Sequence, residues 1–184
     1  MNKLHRETKK YAEALLHAAR TEQPPVLFDP IIAWIKDNLK FELTIIPGND
    51  FLSRRGLSGK MIIRNKHVFI LVNNNDPITR QRFTIAHEIG HLIENLQVAY
   101  MSQTIPTGYD KERFADTFAA ELLMPADLIR NEWTKLSNTT EPTIIQYRLA
   151  RKFNVSNEAM GYRLNELNLQ SEHWAKTKIP PAYR

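Results

Sequence analysis

The alternation of apolar and polar residues predicts two helices followed by three strands in the first part of the chain. Residues 3–20 place apolar side chains at helical spacing and predict an amphipathic helix. A second helix is expected from Asp29 to about Leu39, because Asp29 can cap it and Pro30 suits its first turn. Short apolar runs then predict strands at residues 41–46, 60–64 and 68–72. The last two strands are separated by a short turn and are expected to form a hairpin.

The rest of the chain has a helical pattern. Helices are predicted at residues 77–95, 110–124, 125–136, 143–153 and 157–167. A loop is expected at residues 96–109, a polar break at 137–142 and a loose tail at 171–184. The predicted fold class is therefore α+β, with a mainly helical body beside a small three-stranded antiparallel sheet.

The composition narrows the class of protein. Hydrophobic residues make up 42% and charged residues 24% of the 184 residues, as in soluble globular proteins. The 25 Lys and Arg exceed the 20 Asp and Glu by too little to indicate nucleic acid strongly. The lack of cysteine excludes disulfides and Cys-ligated metals. Without an apolar run that resembles a signal peptide or a membrane span, the expected location is cytoplasmic, with no membrane partner.

The pattern His-Glu-x-x-His at residues 87–91 indicates a metal site with a catalytic base. Four residues make slightly more than one helical turn, so His87 and His91 project from one face and could share an ion. Neutral imidazole is a good zinc ligand, and Glu88 would lie beside the open coordination position as the catalytic base. Apolar residues fill the rest of this helix, so a polar stripe without a partner would be costly. The alternative is two core histidines, each with its own hydrogen-bond partner.

A third protein ligand is needed, since catalytic zinc usually has three and a water. Glu94 is set aside, because it lies about 10 Å beyond His87 along the helix axis. Glu112 is the expected ligand. Asp116, four residues later on the same face, is expected to accept the outer N–H of a ligating histidine. Glu121 is expected to point into solvent. The alternative for the Glu112–Asp116 pair is an ordinary exposed acidic face.

These motifs resemble a known family. His-Glu-x-x-His followed by Glu-x-x-x-Asp resembles the gluzincin zinc peptidases, and the longer texts RQRFTIAHEIGHLI and ERFADTFAAELLMP resemble the ImmA/IrrE metallo-endopeptidases. The C-terminal LARKFNVSNEAMGYRLNELNL is also similar to that family's ending, so the likeness covers about residues 26–169. One departure is Asp116, where the family often has Asn. The resemblance implies one zinc per chain and a protein substrate, a helix-turn-helix repressor of a mobile element or stress regulon that is cut once.

The domain organisation follows from the same likeness. Residues 1–25 are expected to form an N-terminal helix, 26–136 a minimal zincin-like metallopeptidase domain, 137–170 a C-terminal helix-turn-helix-like segment and 171–184 a tail.

The oxyanion of peptide hydrolysis needs a donor besides zinc. Tyr100, Tyr109, Tyr162 and Arg163 are the possible donors, and each has packing or a surface position as its alternative. The hairpin could also offer an edge strand to an extended substrate.

A rival function remains open in the C-terminal segment. Its two helices around Asn154 are helix-turn-helix-like and carry several basic residues, so nucleic acid is a possible secondary partner. The protein would then be a DNA-binding or partner-binding regulator whose metal site is structural or silent. Salt-dependent binding to duplex DNA would favour the regulator, and zinc-dependent proteolysis would favour the enzyme.

Overall fold

The computed structural model describes residues 3–101, 108–137 and 141–169. For residues 3, 4, 49, 50, 97–101 and 108–110 it describes the secondary structure but not the side chains. The longer helices are α1 Lys3–Ala18, α2 Phe28–Trp34, α4 Ile78–Met101, α5 Gly108–Leu123, α6 Ala126–Ser137, α7 Pro142–Phe153 and α8 Asn157–Glu166. The remaining elements are a short α3 at Asn49–Ser53 and the strands β1 Glu42–Pro47, β2 Gly59–Arg64 and β3 His67–Val72. A π-helical turn, Ile35–Leu39, continues α2.

The predicted α+β class is confirmed, and every predicted helix is present within two residues of its expected start. One local expectation is wrong, and one short element was not predicted. The helix predicted to end at Asn95 continues to Met101, so part of the expected loop is helical. The short α3 was not predicted, because a helix of little more than one turn is too short to show a repeat of apolar residues in the sequence.

The sheet is mixed, which corrects the expectation of an antiparallel sheet. Its strand order is β1-β3-β2, with β2 antiparallel and β1 parallel to β3. The physical reason is the burial of β3, the most apolar strand, whose Val68, Ile70 and Val72 are buried. Successive strands of the chain reverse direction, so β1 and β3 run the same way and become parallel neighbours when β3 lies in the centre. The central position buries β3 best and leaves β1 and β2 as the two edges.

The core lies between the sheet and the helices. Helix α4 packs against α5 on one side and against β2 and β3 on another, while α1 covers α5 and α7 packs against α6 and α8. The largest fully buried side chains include Phe114, Phe118, Phe153, Ile89, Leu92 and Leu122. Helix α4 is therefore the central element, and its remaining polar face is turned toward a cleft.

Within the described residues, no helix combines the length and the apolar character needed to cross a lipid bilayer.

Candidate metal centre

Three side chains from α4 and α5 meet at one point. Nε2 of His87 lies 3.0 Å from Nε2 of His91. Glu112 reaches both rings, with Oε2 3.3 Å from Nε2 of His87 and Oε1 3.4 Å from Nε2 of His91. The structure thus brings together the two histidines and the glutamate that the sequence spacing singled out.

The donor set fits a zinc ion. Tetrahedral zinc with bonds of about 2.0–2.1 Å holds its ligand atoms about 3.3 Å apart, close to the three separations in this triangle. The set of two imidazoles and one carboxylate is also one that catalytic zinc uses. Glu112 is 67% exposed, so the side of the triangle that it occupies is open to solvent and to a substrate.

His87 is held from behind by Asp116. Oδ1 of Asp116 lies 2.9 Å from Nδ1 of His87, so this nitrogen carries the proton and Nε2 is left for a metal. Burial alone would lower the pKa of His87. The hydrogen bond and charge of Asp116, with the charges of Glu88 and Glu112, outweigh burial and raise the pKa above its ordinary value. Protons would therefore compete with a metal ion for this ring.

His91 has a carboxylate of its own, which sequence reasoning missed. Oε2 of Glu94 lies 3.4 Å from Nδ1 of His91, and the Glu94 side chain is only 1% exposed. Its Oε1 is buried without a hydrogen-bond partner among the described residues, with Nζ of Lys111 3.9 Å away. Such a carboxylate is costly to bury unless a positive charge lies near. Lys111 supplies one on the Oε1 side, and a cation on the far side of the His91 ring would supply a second. The available signal was the spacing of three residues, which puts both side chains on one helix face.

Glu88 lies in the same cleft, between the histidines and strand β2. The backbone N–H of Met61 donates to its carboxylate. Burial raises the pKa of Glu88, although the charges of His87 and His91 and the Met61 hydrogen bond act in the opposite direction. A carboxylate with a raised pKa accepts a proton more readily, as a general base must.

Strand β2 approaches Glu88 closely because residue 59 is glycine. A Cβ at Gly59 would lie 2.2 Å from Cγ2 of Thr84 on α4 and 3.6 Å from Oε1 of Glu88. Any other residue would push the strand away from the helix. Gly59 therefore lets the strand that holds Glu88 lie directly on α4.

Gly90 allows a similar close approach between helices α4 and α5. A Cβ at Gly90 would lie 3.0 Å from Cα of Ala115 and 3.2 Å from Cδ1 of Phe118. The close approach of α4 and α5 at this point allows Glu112 and Asp116 to reach His87, three residues before Gly90, and His91, directly after it. The antiparallel order follows, since His87 meets Asp116 and His91 meets Glu112.

The histidines and Glu88 line an open cleft of about 1410 Å³. Strand β2 forms one wall and the start of α8 forms another, with Lys60 and Met61 on the first and Ser156 and Ala159 on the second. This volume exceeds the 300–1,000 Å³ or so of typical small-molecule pockets.

Of the other predicted donors, Tyr162 and Arg163 are not brought to the metal centre. The side chain of Tyr109, like that of Tyr100, lies outside the described residues. Tyr162 is partly exposed on α8 and is not among the described residues that line the cleft.

Arg163 lies in the core rather than in the cleft. Its guanidinium is 2% exposed, with Nη2 on Glu121, Nη1 2.7 Å from Glu166 and Nε 3.0 Å from the backbone oxygen of Met124. All three of its nitrogens have a partner in the core, and Arg163 is not among the described residues that line the cleft, so it does not face an oxyanion there. The expectation that Glu121 is solvated is wrong, since its side chain is buried beside Arg163. A buried arginine without an acidic partner would be unfavourable, and Glu121 supplies that partner.

A second cluster of possible ligands, His5, Glu121 and Glu166, surrounds this arginine. Nε2 of His5 lies 3.6 Å from Glu121 and 3.2 Å from Glu166. Because Arg163 already supplies both carboxylates with a positive charge, the cluster is an ion-pair network that joins α1, α5 and α8.

Comparisons with known proteins agree with this arrangement. The model of the peptidase family described as the IrrE N-terminal-like domain matches residues 46–165, which include both helices of the metal centre. The radiation response metalloprotease IrrE of Deinococcus deserti is 34% identical over 109 residues. The match covers 55% of this chain and 37% of that protein, so this chain corresponds to little more than a third of the relative's length.

A solved structure shares the fold. A transcriptional regulator of Mycobacterium tuberculosis matches with a TM-score of 0.61 at 16% identity, over 87% of this chain and 46% of that chain. At this identity the likeness concerns the architecture of helices and sheet.

Proposed function

The chain belongs to the family of IrrE N-terminal-like domains, and from this premise we propose that it is a zinc-dependent endopeptidase. The observation that carries the proposal is the triangle of His87, His91 and Glu112 with Glu88 beside it. A structural zinc site would enclose its ion with four protein ligands, whereas three ligands on an open cleft leave one position for water. The 34% identity to a protein named as a metalloprotease supports the same class.

The mechanism assigns each side chain a separate task. Zinc held by His87, His91 and Glu112 would supply Lewis acidity and lower the pKa of a water molecule. Glu88 accepts the proton of that water, which its raised pKa favours, and then delivers the proton to the leaving amine. Asp116 and Glu94 orient the two imidazoles through their Nδ1 atoms and keep both Nε2 atoms turned to one point.

The substrate is proposed to bind as an extended strand beside β2. This strand is an edge of the sheet, and Gly59, Lys60 and Met61 line the cleft. A peptide paired with an edge strand presents its backbone to the neighbouring catalytic groups without a deep pocket for each side chain. The protein substrate that we propose is a helix-turn-helix repressor of a mobile element or stress regulon, cut at one site. The stress link is supported by the radiation response relative.

The experiment mixes the purified chain and zinc with candidate repressors and with casein, and identifies fragments by mass spectrometry. One discrete cut in a repressor, abolished by a chelator and restored by zinc, is the expected result. Digestion of casein at many positions, with no repressor cut more efficiently, would identify a general protease instead. Intact repressors and intact casein at full zinc occupancy would contradict the peptidase assignment.

The DNA-binding alternative rests on the helix-turn-helix-like pair α7 and α8. Arg148 and Arg151 are exposed on α7. Helix α8, however, occupies the position of a recognition helix, and its one basic residue, Arg163, is buried against acids. Its exposed residues are polar or acidic, among them Glu158 and Glu166. Phosphate contacts dominate affinity for duplex DNA, so this surface is poorly suited to it. We therefore propose that the pair serves the peptidase as a wall of its cleft.

A further inference from the structure

The central strand of the sheet is apolar on both of its faces. Strand β3 contains the uninterrupted apolar run VFILV at residues 68–72. A strand with one face in water usually alternates apolar and polar residues, whereas a continuous apolar run is typical of a strand that is covered on both faces. The sequence of β3 therefore suits a strand that lies between two layers of other elements.

The helices cover one face of the sheet. Side chains at successive positions of a strand alternate between the two faces. Val68, Ile70 and Val72 belong to the main hydrophobic core. A Cβ on Gly59, the partner of Val72 on β2, would point at Thr84 of α4. The metal-bearing helix therefore lies on the same side of the sheet as these three buried residues.

The opposite side of the sheet, which we call the outer face, carries a stripe of partly exposed apolar side chains. These are Ile46 on β1, Ile62 on β2, and Phe69 and Leu71 on β3. The register places Ile62 beside Phe69 and Ile46 beside Leu71, so the stripe is continuous. Within the described part of the chain, none of the four belongs to the main core or packs against it. Apolar patches surrounded by polar residues mark interaction surfaces.

The unpaired charges around the stripe are basic. Lys60 and Arg64 belong to the outer face, and Lys66 lies in the turn between β2 and β3. All three are exposed, and none forms an ion pair among the described residues. The acid on this face, Glu42, already has a partner, since Nζ of Lys36 lies 3.1 Å from its Oε1. The rim of the outer face therefore attracts negative charge.

These charges decide between the possible occupants of the outer face. A second copy of this chain, bound about a two-fold axis, would place one basic rim against another. Residues 170–184 carry Lys176, Lys178 and Arg184 against Glu172, so the C-terminal segment has the same sign as the rim. Like charges across a contact oppose binding, and opposite charges favour it. The partner that fits is a different protein that presents acidic residues.

The dimensions of the outer face correspond to one helix. Neighbouring strands lie about 4.8 Å apart, so three strands span about 10 Å between the outer two, and a helix with its side chains is about 10–12 Å wide. Each strand has six residues, a length of about 20 Å that about 13 residues of helix match. A helix on this side would complete the second layer that suits the apolar run of β3.

From these observations we propose that the outer face of the sheet binds an acidic amphipathic helix of a partner protein. Apolar residues of that helix, three or four positions apart, would pack on the apolar stripe, and its flanking acids would pair with Lys60, Arg64 and Lys66. The proposal goes beyond the peptidase function and does not depend on it, because Glu88 meets the sheet from the helix-covered side.

The test begins with a displayed library of helical peptides of about 15 residues. Each peptide has apolar residues every three or four positions, and Glu, Lys or Ala is varied at the positions beside them. Selection on the full chain should enrich Glu over Lys at these flanking positions. The enriched peptides are then synthesised with a dye, and their affinity for the chain is measured by fluorescence anisotropy.

Variants locate the binding surface. Ile46→Glu and Ile62→Glu, at the two sides of the stripe, should each weaken binding by about tenfold or more, because each places a charge in the apolar contact. Tyr147→Glu is the matched control, since this side chain is 56% exposed on α7, and affinity should stay at its wild-type value. Melting curves establish that each variant is folded.

A charge variant leaves the apolar stripe intact. Arg64→Glu combined with Lys66→Glu changes two exposed side chains, and affinity should fall by roughly three- to tenfold. Binding to wild type should weaken as salt rises from about 0.05 to about 0.5 M, and binding to the double variant should respond less. Arg148→Glu, an exposed arginine on α7, should leave the affinity unchanged.

Several results would overturn the proposal. If no peptide is enriched, or if Lys is as frequent as Glu beside the apolar positions, the outer face does not select an acidic helix. Wild-type affinity in Ile46→Glu and Ile62→Glu would place the binding elsewhere on the chain. A wild-type dimer in sedimentation equilibrium that Ile62→Glu dissociates would assign the outer face to a second copy. Each of these results leaves zinc-dependent hydrolysis standing.

Discussion

Oε2 of Glu94 lies 3.4 Å from Nδ1 of His91, inside the protein and one helical turn beyond the ring it contacts. The neighbouring histidine has its acidic partner on another helix, at Asp116. The two imidazoles are thus oriented independently, one from within α4 and one from α5. Loss of either carboxylate should loosen one ring and leave the other in place.

Glu94→Gln should lower zinc affinity by roughly 10–100-fold, because the amide carries no charge to balance a metal-bound imidazole. Competition with a chromophoric chelator measures the affinity, and circular dichroism checks the fold. Lys111→Met is the matched control, since it removes the cation near Glu94 and leaves the His91 contact intact. Zinc affinity equal to that of wild type in Glu94→Gln would show that Glu94 is only a buried acid.

Asp116→Ala should weaken zinc binding by a similar factor of roughly 10–100 through His87. Asp116→Asn is the conservative comparison, because its side-chain oxygen can still accept the Nδ1 proton. It should lie between alanine and wild type. Asn and Ala variants that lose the same affinity would mean that charge, and not the hydrogen bond, is the contribution of Asp116.

Zinc affinity should fall steeply on acidification. The pKa of His87 is raised in the metal-free protein, so this ring becomes neutral only at a higher pH than an ordinary histidine. Metal binding requires the neutral ring, and affinity should therefore increase with pH until the raised pKa is passed. The folding stability of the metal-free protein should change with pH in the opposite direction. The stability that protonated His87 contributes is complete below about pH 6.5 and is lost as pH rises through the raised pKa.

Thermal melts of the metal-free and zinc-loaded proteins across this pH range measure both effects. Asp116→Asn should reduce both, because it removes the negative charge that helps to raise the pKa of His87. Parallel pH profiles for the metal-free and zinc-loaded forms would contradict the assignment of His87 as a ligand.

Gly90→Ala should force α4 and α5 apart by a few tenths of an ångström. The added Cβ would meet backbone atoms of Ala115 at 3.0 and 3.3 Å, and backbone does not yield as a flexible side chain does. Alanine favours a helix by about 1 kcal/mol over glycine, yet overpacking costs about 1–3 kcal/mol. We expect a lower melting temperature and about tenfold weaker zinc binding.

Gly161→Ala is the control for that variant. Its Cβ would meet the amide of Gln146 at 2.9 Å, between α7 and α8 and away from the metal ligands. Stability should change there without a change in zinc affinity. Wild-type zinc affinity in Gly90→Ala would mean that the close approach is not needed for the centre.

Helix geometry explains what the sequence could predict. Spacings of four residues fix a shared face wherever a helix forms, and His87, His91, Glu112 and Asp116 were identified on that basis and lie together in the structure. For Glu94, the sequence argument addressed only direct binding to the metal. The distance along the helix rightly argued against that role but said nothing about a contact with the back of His91.

Long-range partners had no local signal. Arg163 and Glu121 are 42 residues apart, so the sequence around either residue does not predict their buried ion pair. The parallel pairing of β1 with β3 likewise depends on which strand the helices cover. The Arg82 contacts with Val26 and Asn154 span 56 and 72 residues and appear only once the chain is folded. Local periodicity therefore predicted the longer helices, the strands and the candidate ligands, and tertiary packing decided the rest.

The most direct test of the account compares repressor cleavage by wild type and Glu88→Gln, each carrying one zinc per chain by metal analysis. The glutamine cannot accept the proton of water, so cleavage should fall by a factor of about 10²–10⁴ while zinc content and melting temperature remain those of wild type. The readout is the rate at which the two fragments form, followed by mass spectrometry. Cleavage by Glu88→Gln at the wild-type rate, or by the chelated wild-type protein, would contradict zinc-dependent hydrolysis with Glu88 as its base.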